Sequence, residues 1–219
     1  MLLTQTQIPA SCLLFDMDGT LLNSHAPMVR AYTAWASRYG LDIDHVLRES
    51  HGRRSIDTIR AMAPAGADVE ADNAEIMQRE REDTEGVFAI AGARALLESI
   101  PEGRWAVVTS ADRQLATARL TAAGLPIPKL LVSAENVTRG KPAPDGFLLG
   151  ARELGADPAR AIVFEDSPAG IAAGIAAGAT VVAIASLLSA EQLGQQAWVP
   201  DMSTLSVSVN ATGIVLHVG

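Results

Sequence analysis

Several residue types are scarce in this 219-residue chain, and each shortage excludes something. There is one cysteine, Cys12, so no internal disulfide can form; a reducing, cytoplasmic compartment is the expectation. The 17 basic residues are outnumbered by 25 acidic ones, giving a net charge of −8. Without a basic surplus to neutralise phosphates, the chain is not expected to bind nucleic acid. Only Lys129 and Lys141 are lysines, so each is worth a functional question. No Gly-x-Gly-x-x-Gly follows the first apolar run, which argues against a dinucleotide cofactor. Gly140-Lys141 is not a phosphate-binding loop either, because Glu135 and Pro142 occupy positions that such a loop needs as glycine and hydroxyl. His25, His45 and His217 lack metal-type spacing and read as surface or structural, though His25 follows closely on an acidic motif. Residues 1–10 have no basic start and too short an apolar stretch for a secretion signal.

One long stretch, Ser167 to Ala190, carries no charge. Its Gly170-x3-Gly174-x3-Gly178 spacing resembles a helix-pairing face in lipid. It is mostly Ala and Gly, however, with Pro168 near its start, and at Gly178 it gives way to Val181, Val182 and Ile184. The stretch therefore reads as a helix ending at a glycine and then a buried strand, and no membrane association is expected.

What is present is a rhythm. Short apolar runs lie at Cys12–Phe15, Trp105–Val108, Leu130–Val132, Ala161–Phe164 and Val181–Ala185. Helical patterns at Ala111–Ala123, Asp145–Leu154 and Pro168–Ala177 separate the later ones, each followed by a glycine. Strands that are apolar throughout, alternating with helices, predict an α/β fold with a Rossmann-like, doubly wound parallel sheet. Residues 22–88 interrupt this rhythm with helical patterns at Pro27–Tyr39, Ile43–Ser50, Ser55–Ala63 and Val69–Thr84. They predict an inserted helical cap over a core made of residues 1–21 and 89–219, with Met28, Trp35, Met62 and Met77 as the cap's small core. The tail, Ser206 to Val218, predicts a hairpin turning near Asn210–Gly213 and extending a sheet edge; Asn210-Ala211-Thr212, which has the glycosylation spacing, reads as part of that turn. No exposed apolar stripe is evident, and a monomer is expected.

In a parallel α/β sheet, ligands gather beyond the carboxyl ends of the strands. Those ends carry Asp16-Met17-Asp18-Gly19-Thr20, Thr109-Ser110, Arg139-Gly140-Lys141-Pro142 and Glu165-Asp166-Ser167. Asp16 and Asp18, two apart on extended backbone, point the same way. Clustered carboxylates repel unless a cation intervenes, and an all-oxygen donor set favours Mg²⁺. A metal, one lysine and a hydroxyl donor suit a phosphoryl group, which a carboxylate can attack. Cys12, on an apolar strand, reads as core.

The run Phe15-Asp16-Met17-Asp18-Gly19-Thr20-Leu21 resembles the first signature of the haloacid dehalogenase superfamily of phosphatases, with Thr109-Ser110, Lys141-Pro142 and Glu165-Asp166-Ser167 similar to its second, third and fourth motifs. The resemblance covers about Leu13 to Ala185 and implies Asp16 as nucleophile and Asp18 as general acid/base. It implies Thr109 and Lys141 as phosphate ligands, with Mg²⁺ on Asp16, Asp166 and the carbonyl of Asp18. Glu165 is left between direct metal ligand and outer support. The insert resembles the superfamily's helical type-1 cap, and Ser50-His51-Gly52-Arg53-Arg54-Ser55 is similar to turns in phosphatases of small sugar and polyol phosphates. His51, Arg53, Arg54 and Ser110 become substrate-binding candidates, although an arginine pair also suits an ordinary helix start. A phosphoglucomutase-like transferase and a silent sugar-phosphate sensor share the same core motifs. The insert after the first strand argues against a phospho-accepting receiver, since receivers need no cap.

Overall fold

The computed structural model describes residues 1–210 and 213–219. Along the chain run β1 (Thr6–Ala10), β2 (Cys12–Phe15) and β3 (Leu22–Asn23), then four helices, α1 (His25–Tyr39), α2 (Ile43–Ser50), α3 (Ser55–Met62) and α4 (Val69–Glu82). There follow β4 (Phe88–Ala89), α5 (Ala93–Ser99), β5 (Trp105–Val108), α6 (Arg113–Ala122), β6 (Leu131–Val132), α7 (Asp145–Glu153) and β7 (Ala161–Glu165). The chain ends with α8 (Pro168–Ala176), β8 (Thr180–Ile184), α9 (Ala190–Leu193), β9 (Trp198–Val199), β10 (Leu205–Asn210) and β11 (Gly213–Val218).

The main sheet has the order β6-β5-β2-β7-β8-β9, with every pair parallel. Its strands are apolar on both faces because both faces are covered. Leu13 and Phe15 of β2 join Trp105, Val107, Ile162 and Phe164 in a core that also takes residues of α5 and α6. Cys12 and Leu14 point the other way, into a core shared with Phe147 of α7 and Ala173 of α8. Phe15 stacks on Phe164 with ring centroids 4.7 Å apart, and burying each such side chain is worth about 1.5–3 kcal/mol. Asp112 and Ser167 cap α6 and α8, accepting bonds from Leu115 N (2.8 Å) and Gly170 N (3.0 Å). Gly124, Gly155 and Gly178, which follow α6, α7 and α8, all have positive φ.

Helices α1–α4 enclose a separate small core of Ala31, Tyr32, Trp35, Ala36, Val46, Ile59 and Ile76. Met28 and Met62 pack against it, whereas Met77, expected there, packs against the main core. The chain enters and leaves these helices through β3 and β4, which pair antiparallel. The carboxy-terminal hairpin forms, but it does not extend the parallel sheet. β11 lies between β10 and β1 in a separate antiparallel sheet of order β1-β11-β10. Its buried residues Leu205, Ile214, Leu216 and Val218 complete the core over α5, a more favourable use of an amphipathic hairpin than an exposed edge. The expected turn at Asn210–Gly213 lies partly outside the described residues. Among the described residues, no helix is long and apolar enough to cross a membrane.

Candidate active site

Four strands of the parallel sheet deliver the polar residues to one end. Asp16 follows β2 and its amide donates to Phe164 O at 2.9 Å, so the carboxylate is fixed to the central strand pair. Thr109 follows β5, with its amide on Val132 O at 2.9 Å. Its Oγ1 accepts from Ala111 N at 3.1 Å, which leaves the hydroxyl proton to be donated outward. Glu165 ends β7, and Asp166 and Ser167 lead into α8. Lys141, in the loop between β6 and α7, bonds Asp16, Glu165 Oε1 at 2.7 Å and Val108 O at 3.1 Å.

Carboxylate oxygens of Asp16, Glu165 and Asp166 lie within 4.8 Å of one another, and all three residues are buried. Three carboxylates against the one Lys141 ammonium leave two negative charges when all are ionised. Burial raises the pKa of Asp16 to about 7, helped by Glu165 and opposed by Lys141. Burial, with Glu165 and Asp16 beside it, raises Asp166 well above the ordinary carboxylate range as well. An all-oxygen, electron-rich donor set with a surplus of two charges fits a hard divalent cation. Glu165 has little left to give such an ion. Its Oε2 accepts from Asp166 N (2.8 Å), Ser167 N (2.9 Å) and Ser167 Oγ (3.0 Å), while Oε1 holds Lys141.

Glycines make room for these acids. A Cβ on Gly19 would sit 2.0 Å from Asp166 Oδ2, and one on Gly170 would sit 1.6 Å from Glu165 Oε1. Gly170→Ala thus reverses the usual helix preference, in which alanine gains about 1 kcal/mol over glycine. The substitution is expected to destabilise the protein by about 3 kcal/mol through overpacking and to displace Lys141 with Glu165. Urea unfolding reads the first effect and phosphate release the second; a stabilised, active variant would remove Glu165 from the architecture argued here.

Between this strand end and the helices lies a cavity of about 450 Å³, lined by Asp16, Asp18, Thr109, Ser110 and Asp166 from below and by His51 and Arg53 from above. Lys141 and Glu165 stand behind Asp16 and are not part of the cavity wall. Ser110 Oγ donates to Gly52 O at 2.8 Å, tying the strand end to the turn above it. His51 stacks with His25, ring centroids 6.2 Å apart, and burial lowers its pKa. His25, expected at the surface or in a structural role, is exposed at the cavity wall. Arg54 is turned away: Nε donates to Asp57 Oδ2 at 2.6 Å and Nη1 to Thr138 O at 3.1 Å. It precedes α3 on extended backbone, and of the two arginines only Arg53 lines the cavity.

Two buried participants escape a motif search. Arg119 of α6 and Glu80 of α4 also line the cavity. The available signal was a charged residue inside an apolar stripe: Leu115, Ala116, Arg119 and Leu120 are the buried positions of α6.

The profile of the haloacid dehalogenase-like hydrolases matches residues 10–178. The chain belongs to this family. Among curated proteins, hexitol phosphatase A of Escherichia coli (strain K12) is 43% identical over 175 residues, covering 78% of this chain and 81% of that protein. Glycerol-1-phosphate phosphohydrolase 2 of Saccharomyces cerevisiae is 36% identical over 198 residues, covering 84% and 78%. A solved hydrolase from Pseudomonas syringae superposes with a TM-score of 0.78 at 24% identity over 88% of this chain and 94% of its own, a likeness of fold. In this haloacid dehalogenase-like hydrolase, Asp16 and Thr109 directly follow β2 and β5, Glu165 and Asp166 lie at the end of β7, and Lys141 lies in the loop between β6 and α7.

Proposed function

We propose that this protein is a divalent-metal-dependent phosphatase, using Mg²⁺, that hydrolyses a small sugar or polyol phosphate through an aspartyl-phosphate. The observation that carries the reading is a buried Asp16 held between Lys141 and two further acids at the floor of a cavity. The substrate class is supported by relatives named as phosphatases of hexitol and glycerol phosphates.

Asp16 attacks phosphorus, and the bond to the leaving oxygen breaks. Asp18 gives that oxygen a proton and the alcohol departs, leaving the phosphoryl group on Asp16. Asp18 then takes a proton from a water that attacks phosphorus, which releases inorganic phosphate and restores the Asp16 carboxylate. Thr109 donates to a phosphoryl oxygen, while Lys141 orients Asp16 and contributes positive charge from behind. Asp16, Asp166 and the carbonyl of Asp18 would hold the ion, whose chemistry is to neutralise phosphoryl oxygens. Glu165 serves as the support of Lys141 and of the Asp166–Ser167 backbone. His51, Arg53 and Ser110 meet the substrate, and Arg54 braces the turn instead. Residues 22–88 act as the cap that excludes bulk water, over a core of residues 1–21 and 89–219.

Phosphate release from a panel of phosphorylated sugars, polyols and nucleotides, with Mg²⁺ and with chelator, tests the reading. Turnover confined to the first two classes and lost on chelation is expected; none on any member, or turnover indifferent to chelation, overturns it.

The raised pKa of Asp16 has a consequence for the metal. Below about pH 7 the site holds a proton that an ion must displace, so affinity falls as pH falls, by about tenfold per unit. Calorimetry in buffers of different ionisation enthalpy should register about one proton more released per Mg²⁺ near pH 6 than near pH 9, the proton of Asp16. Proton release that is the same at both values would contradict it.

A further inference from the structure

Arg119 joins the proposed acid/base to the helical cap. Its side chain is buried on α6, yet both ends of its guanidinium are used. Nη1 donates to Asp18 Oδ1 at 2.9 Å and Nη2 donates to Glu80 Oε1 at 2.8 Å. Glu80 is itself buried, on α4, 39 residues before Arg119 in the chain. The same Asp18 Oδ1 accepts from Ser24 Oγ at 2.6 Å.

Burying Arg119 and Glu80 this way costs several kcal/mol per ion, and apolar side chains would pack the two helices as well or better. Docking of α4 on α6 already has a second, more exposed pair in Arg81 and Asp112, with Arg81 Nε 3.2 Å from Asp112 Oδ2. What the Arg119 bridge adds is geometry. Asp18 is the more exposed of its two acids, with its side chain 29% accessible against 7% for Glu80, and an accessible carboxylate rotates unless held. Two donors on Oδ1 fix the carboxylate plane and leave Oδ2 for proton exchange. The planar guanidinium presents its two Nη groups to the two acids in fixed directions, whereas a lysine is a single point charge on a flexible stem.

We propose that Arg119 is a positioning residue for Asp18, and that Glu80, from the cap, holds the guanidinium in place for that task. The proposal rests on the phosphatase reading, with Asp18 as acid/base. Arg119 acts on catalysis through Asp18, and Glu80 acts through Arg119.

The test uses leaving groups. An alkyl phosphate releases an alkoxide-like oxygen that needs the proton of Asp18, whereas p-nitrophenyl phosphate releases a stable anion that does not. Kinetics are measured on the full-length protein with Mg²⁺, using p-nitrophenyl phosphate and the alkyl phosphate it hydrolyses fastest. For Glu80→Gln and Arg119→Lys, the ratio of kcat/KM on the alkyl ester to kcat/KM on the aryl ester, which reports the steps through departure of the alcohol, should fall by about tenfold, a part of the 10²–10⁴ that general acid catalysis supplies. Asp18→Asn should move the same ratio further in the same direction. Melting temperatures report folding, and where a single variant does not fold, the paired replacement Glu80→Met with Arg119→Met removes the buried charges together and should still lower the ratio. Parallel loss on both esters, or an unchanged ratio, makes the bridge a brace between cap and core and overturns the proposal. If Asp18→Asn leaves the ratio unchanged, the acid/base assignment fails instead; if the unaltered protein hydrolyses neither ester, the phosphatase reading fails with it.

Discussion

Replacing Asp16 by asparagine is expected to lower phosphate release by about 10⁴-fold or more while leaving the fold and phosphomonoester binding in place. The amide has the carboxylate's shape but lacks its nucleophilic anion, so the step that loads the phosphoryl group onto residue 16 is lost. The fold should not suffer. Asp16 is buried with its pKa raised to about 7, which means that its surroundings already tolerate the neutral form. Lys141 keeps Glu165 Oε1 at 2.7 Å and Val108 O at 3.1 Å as partners, and the buried negative charge drops by one. Single-turnover phosphate release, with calorimetric binding of inorganic phosphate in the same variant, separates lost chemistry from lost binding. Turnover near that of the unaltered protein would remove Asp16 from the nucleophile's place.

Much of this architecture was readable because it follows from two periodicities. Strands covered on both faces must be apolar at every position, which marks Cys12–Phe15 and Ala161–Phe164 without ambiguity. The cap helices announce themselves through spacing and caps; Asp42 and Asp68 accept from Asp44 N and Ala71 N where α2 and α4 were expected to start. The acids were legible because parallel strands end on one side, so separate motifs must meet there. Tertiary partnership was not legible. β1 carries Pro9 and a mixed pattern, and nothing local says that Thr6–Ala10 will pair with residues 214–218. The tail hairpin formed as its alternation demands, but which sheet it joins depends on that distant partner. Two-residue strands such as β9 lie below the length at which alternation can be seen. Arg119 and Glu80 are 39 positions apart, and each alone is only a charged residue among the buried positions of its helix. Arg53 lines the cavity while Arg54 bonds Asp57 and Thr138, a division that adjacent positions in the sequence do not reveal.

Replacing Lys141 by methionine is the substitution expected to harm both stability and turnover. Methionine fills a similar volume beside Phe147, whose ring centroid lies 5.1 Å from the ammonium, so the change isolates charge from packing. Asp16 and Glu165 then share a buried space with no cation from the chain. Breaking a buried pair by removing one partner costs about 3–5 kcal/mol. The sign of the pH dependence follows from the acids left behind. Without Lys141 to oppose burial, the pKa of Asp16 rises further above its unfolded value, so the folded variant takes up protons that the unfolded chain does not. That contribution to stability is present at low pH and is lost as pH rises toward the folded-state pKa. The deficit relative to the unaltered protein should therefore be larger near pH 8 than near pH 5, by about 1–2 kcal/mol in urea unfolding. Because a divalent ion can supply part of the missing charge, Mg²⁺ should raise the variant's midpoint more at the higher pH, where protons compete least. Turnover should stay low even then, since an ion in front of Asp16 does not replace the ammonium that orients it from behind. A deficit equal at the two pH values would mean that Lys141 contributes packing alone, and the electrostatic account of the cluster would have to be abandoned.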